Sequence, residues 1–122
     1  MKTLFLIRHA KSSWSTPDLK DEERPLNDRG NRDAPMVARR MAQSWPVPDK
    51  IICSQAQRAQ ETAAIMSALW WNERSIEIDR GLYDGSASSS LEIIARIPAD
   101  VNSLALVFQT RPSRTSQTSL LN

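Results

Sequence analysis

The sequence predicts an α/β chain built on a mostly parallel sheet with helices on both faces, and three observations carry that reading. Short apolar runs at Leu4–Ile7, Ile51–Cys53 and Leu104–Phe108 alternate with longer stretches whose apolar residues recur at helical spacing, the pattern of strand–helix–strand units. The runs are continuous rather than alternating, so both faces of each strand should be covered, and Leu4–Ile7 reads as a central strand. The first run then breaks abruptly into Arg8 and His9, which puts a cation and the chain's one imidazole at a strand's C-terminal tip. In open α/β sheets that edge is where ligands bind.

A chain of 122 residues makes one domain, large enough for a real core but near the lower end for a doubly wound sheet. The formal charge of +2 is too small to imply nucleic-acid binding, and a pI near 9.0 favours anionic ligands. One cysteine cannot form an internal disulfide. The N-terminal apolar run is too short for a signal-peptide core or a membrane span, so the expectation is a cytoplasmic chain with no membrane partner.

Taken in order, Lys2 to Arg8 reads as the first strand and Ser12 to Glu23 as a polar loop beside the site. Trp14 in that loop suits either a pocket wall or the cover of a core edge. Asn27 or Asp28 can cap a helix whose stripe is Met36, Val37, Met41 and Ala38. Pro35 fits only the first turn of a regular helix, so that helix either starts near Asp33 or kinks at the proline; both versions end near Trp45-Pro46. Asp49 to Cys53 is a short buried strand. From Ala56 to about Trp70, Ala59, Ala63, Ile65, Met66 and Leu69 define an amphipathic helix with Arg58 in its first turn. Trp70-Trp71 at its end fits packing against a neighbouring loop better than a partner surface. Ser75 to Asp79 alternates, as a less buried edge strand does. Leu82 to Gly85 is a loop, and Ser88 to Ser90 can cap a helix carrying Leu91, Ile93, Ile94 and Ile97. Leu104 to Phe108 is a further buried strand. From Gln109 to Ser119 proline supplies the only apolar side chain, a composition with no face to bury.

Three stretches carry a resemblance. Arg8-His9-Ala10 after the first strand, Arg24-Pro25-Leu26-Asn27-Asp28-Arg29-Gly30, and Ser54-Gln55-Ala56-Gln57-Arg58-Ala59-Gln60-Glu61-Thr62-Ala63 after the second resemble the histidine phosphatase superfamily in order and spacing. The small SixA-type phosphohistidine phosphatase branch is the nearest pattern. The resemblance implies a phosphoglycerate mutase-like fold and a phosphatase acting on phosphohistidine in a signalling protein, or on a small phosphoester. It implies His9 as nucleophile and Arg8 and Arg58 as phosphate-holding cations. These residue types suit the chemistry: an imidazole nitrogen can attack phosphorus, and guanidinium groups match the oxygens that carry charge in the transition state.

Further residues keep two readings each. Ser12 can bond phosphate or cap its loop. Arg24 can recognise substrate or pair on the surface with Asp21, Glu22 or Glu23. Asp84 stands where larger relatives carry an acid, although an imidazole leaving group departs readily without a strong one. Cys53 is not a phosphatase cysteine: such enzymes separate Cys and Arg by five residues, and here four lie between Cys53 and Arg58. One histidine and one cysteine assemble no zinc cluster, so no metal and no cofactor are expected.

The resemblance stops after Phe108. Relatives continue with Gly-His-Asn-Pro, whose histidine is a second phosphate ligand, where this chain has Gln109-Thr110-Arg111-Pro112. The expectation is a domain over residues 1–108, C-terminally truncated relative to the family, and a polar tail over 109–122. A frame displaced by two nucleotides over Gln109 to Leu120 can encode Asn-Pro-Ala-Leu-Thr-Asn-Leu-Ala-Asn-Leu-Leu, similar to the family's continuation, so a frame-shifted C-terminus is expected. Without that histidine the competing function is a phosphate-binding or interaction module that turns nothing over.

Overall fold

The computed structural model describes residues 3–9, 23–82 and 87–109. Four parallel strands form one sheet: β1 (Thr3–His9), β2 (Lys50–Cys53), β3 (Glu77–Ile78) and β4 (Ser103–Gln109), in the spatial order β1-β4-β2-β3. Three helices join them: α1 (Asp28–Ser44), α2 (Gln57–Met66) and α3 (Ala87–Ala95). The predicted α/β class holds, and the sheet expected to be mostly parallel is parallel in every pairing among the described residues.

Alternation along the strands divides the core into two layers. Phe5, Ile7, Ile51, Cys53, Ala105 and Val107 face α1 and α2, where Ala38, Ala59, Ala63 and Met66 meet them. Ile52, Leu104 and Leu106 face the other way, against Leu82 and Ile93 of α3. Both faces of β2 and β4 are covered, as continuous apolar runs require.

Strand β1 is a correction to the sequence reading. It lies at the sheet's edge among the described residues, and Leu4 and Leu6 are 37% and 36% exposed. The central place belongs to β4, which inserts between β1 and β2, and Ile93 of α3 packs with Leu104 and Leu106 of β4. The apolar run records one buried face, through Phe5 and Ile7, and a second that the described residues leave half open.

Helix α1 begins at Asn27, whose side chain accepts a hydrogen bond from the Gly30 amide at 2.9 Å, and ends at Ser44. Pro35 sits inside it, so the rule confining proline to a first turn is overridden. Its buried residues are Ala34 and Ala38, with Val37 and Met41 of the predicted stripe packed against the core, while Met36, predicted with them, is 62% exposed. In α3 Leu91 is likewise exposed and Ile93 carries the burial, and the helix starts at Ala87, ahead of the serines expected to cap it.

After Met66, α2 widens into a π-helical turn, Ser67–Trp71, that ends with Asn72 and Glu73 at positive φ. Both Trp70 and Trp71 are buried there. The Trp70 indole donates to the Trp45 carbonyl at 3.1 Å, and Phe5 meets the Trp45 and Trp70 rings edge-on at 5.5 and 5.2 Å. The tryptophan pair thus packs on the segment after α1, as expected. No helix among the described residues is long and apolar enough to cross a membrane.

Candidate active site

Parallel strands all end on one side, and Arg8, His9 and the helix turn that carries Arg58 lie there. Arg8 and His9 are the last two residues of β1, paired in register with Phe108 and Gln109 of β4. The strand runs one residue further than predicted, so the imidazole-bearing residue is held by the ladder itself and not by the loop after it.

Strand β2 delivers the second half of the site. Beyond Cys53, the Ser54 amide donates to the Val107 carbonyl at 2.8 Å, fixing the turn against β4. The buried Ser54 hydroxyl then accepts from the Ala56 amide at 3.2 Å, which tightens the entry into α2. Ala56 is the N-cap and has no side chain able to cap, so the first turn of α2 presents backbone donors uncapped by its own N-cap residue. Arg58 lies in that turn and is only 2% exposed. One turn on, the buried Thr62 hydroxyl donates to the Arg58 carbonyl at 2.8 Å.

A third segment docks on the same helix. The Leu26 amide donates to Glu61 Oε1 at 2.9 Å, and Gln57 Nε2 donates to Glu61 Oε2 at 2.8 Å. Both Leu26 and Arg24 are 5% exposed. Arg24 is therefore buried and not at the surface, where its ion-pair reading placed it; Asp21 and Glu22 lie outside the described residues. Glu61 had no role assigned from the sequence. The readable signal was its position three residues after Arg58, on the same side of the helix.

Cys53 is fully buried and its thiol donates to the Ser54 carbonyl at 3.2 Å. Burial pushes its pKa from 9.0 up to about 12, so it is a neutral thiol near neutral pH. That agrees with its reading as a core side chain. Ser12, Trp14 and Asp84 lie outside the described residues.

The arrangement is a strand-end imidazole residue and two arginine-bearing elements on one sheet edge, in the order of the three sequence stretches. A family model described as histidine phosphatase superfamily, branch 1, matches residues 4–112. The chain belongs to the histidine phosphatase superfamily. A superfamily likeness of the same extent is found in an uncharacterised protein of Mycobacterium tuberculosis, 33% identical over 105 residues that cover 83% of this chain and 61% of that one. The chain thus spans about three-fifths of that relative's length. Among solved structures, the proposed phosphohistidine phosphatase SixA of Agrobacterium tumefaciens superposes with a TM-score of 0.76 at 28% identity, covering 88% of this chain and 68% of that one. A protein histidine phosphatase SixA complexed with tungstate shares the fold, with a TM-score of 0.69 at 20% identity over 87% of this chain and 68% of that one. The histidine phosphatase fold and its SixA-like form are thereby shown for this chain.

Proposed function

We propose that this chain is a phosphatase that forms a phosphohistidine intermediate on His9 and acts on phosphohistidine in proteins. The observation that carries the reading is the convergence of the β1 end, with Arg8 and His9, and the first turn of α2, with buried Arg58, on one sheet edge. In the first step a neutral ring nitrogen of His9 attacks phosphorus in line. The bond from phosphorus to the substrate's imidazole nitrogen breaks, and that imidazole leaves and takes up a proton. Water then attacks the phosphorus on His9, gives up a proton, and releases inorganic phosphate with the His9 ring restored. Arg8 and Arg58 hold the equatorial oxygens, and the α2 amides add dipolar stabilisation. Asp84 and Ser12 are proposed as a proton donor and a phosphate ligand. SixA-like relatives support the substrate class.

A second reading is favoured by one observation. Gln109, the β4 partner of His9, opens the sequence Gln109-Thr110-Arg111-Pro112, where the family pattern has Gly-His-Asn-Pro. A chain lacking that second histidine would bind phosphate and turn it over slowly or not at all.

Phosphate release from a phosphohistidine peptide decides between them. Turnover by this chain that drops at least about 10³-fold in His9→Ala supports the phosphatase. Turnover only after the residues following Phe108 are replaced by the family-like continuation supports the second reading. No turnover in either, with both folded, overturns the proposed activity.

A further inference from the structure

Of the buried polar contacts around the site, one joins two of the three sequence stretches directly. Glu61 of α2 accepts the Leu26 backbone amide on one oxygen at 2.9 Å and the Gln57 amide group on the other at 2.8 Å. The segment from Arg24 to Asn27 is consequently held at two points. Asn27 caps α1 by accepting the Gly30 amide, and Leu26 is tied to α2.

Two geometric facts make the tie more than a local brace. Arg58 precedes Glu61 by three residues, so it lies about one turn, roughly 5 Å, nearer the strand-end crevice. Arg24 is two residues from the tied amide, at most about 7 Å of chain. Both arginines are nearly fully buried, at 5% and 2% exposure. A carboxylate acceptor holds a buried amide more firmly than a neutral one does, and leaving that amide unmet would free the segment to move.

We propose that Glu61 is a positioning residue: by fixing Leu26 it sets the Arg24 guanidinium beside that of Arg58, so that both grip one oxyanion. The ligand class rests on the phosphatase reading, but the coupling between Glu61 and Arg24 does not require turnover. Glu61 itself touches no substrate. It acts through the main chain, which is why a glutamine should replace it while an alanine should not.

The test is a double-mutant cycle read by tungstate binding in titration calorimetry on the full chain. Arg24→Ala and Glu61→Ala should each weaken tungstate about tenfold, and the double variant should weaken it by the same factor and not by about a hundredfold. Glu61→Gln, whose amide oxygen can still accept the Leu26 amide, should stay within about threefold of the parent chain. Hydrogen exchange at the Leu26 amide, measured on the same proteins, should speed up in Glu61→Ala and not in Arg24→Ala. Additive losses, or an unchanged Leu26 exchange rate in Glu61→Ala, overturn the inference. So does a parent chain that binds no tungstate. Coupled tungstate binding without release of phosphate from the phosphohistidine peptide would sustain the inference and sink the phosphatase reading instead.

Discussion

Cys53 closes β2 with its thiol buried and its proton directed at the Ser54 carbonyl, and its raised pKa has a consequence for the pH dependence of stability. Below pH 9 the thiol is protonated whether the chain is folded or not. Between pH 9 and about 12 the unfolded chain releases the proton and the folded chain keeps it. Stability should therefore fall across that window by up to about 1.4 kcal/mol per pH unit from this group, and Cys53→Ala should flatten the slope. Urea unfolding at pH 8 and pH 10.5 for both proteins measures it. Thr62 acts at the same scale. Its buried hydroxyl bonds the Arg58 carbonyl, so Thr62→Val should cost about 1 kcal/mol in the same assay. Arg58→Lys keeps the charge but loses the paired donors. It should lower phosphate release about 10²-fold or more, as read by steady-state kinetics.

Helix α1 carries its own internal contradiction, a good cap at Asn27 and a proline eight residues on. Asn27→Ala should cost about 1 kcal/mol. Pro35→Ala, which restores a backbone donor within the helix, should gain about 1–3 kcal/mol, both read by thermal unfolding. The same helix shows how far local pattern carries. Its cap, its end before Trp45 and the helix after Ser54 were legible, because capping and apolar spacing are local. Its buried face was legible through Val37, Ala38 and Met41 and missed at Met36 and Ala34, because helical spacing sets a stripe without saying where its edge lies. The places of Arg8, His9 and Arg58, at a strand end and in the first turn of a helix, were legible from their motifs. Arg24 was half legible: its stretch was recognised, but only the Glu61 tie tells that it is pressed inward.

Across the whole molecule, the least legible feature was the sheet order, since an apolar run says that a strand is buried without saying beside what. The place of β1 depends on β4, about a hundred residues downstream in register, Thr3 opposite Ser103. Phe5 is the residue that ties this edge to the rest, through Trp45 after α1 and Trp70 after α2. Phe5→Ala should cost about 3–5 kcal/mol and shift tryptophan emission to the red, measured together by fluorescence during urea unfolding. The insertion of β4 between β1 and β2 also sets an order in time. Among the described residues β4 is the strand that pairs with β1, and of the four described strands it is the last in the sequence. Until it is made the growing chain carries Arg8 and His9 on a strand without its β4 partner, its apolar side chains an aggregation hazard. Residues early in this sequence thus wait for residues late in it, and the Arg8-His9 strand end gains its place at the sheet edge only when β4 arrives.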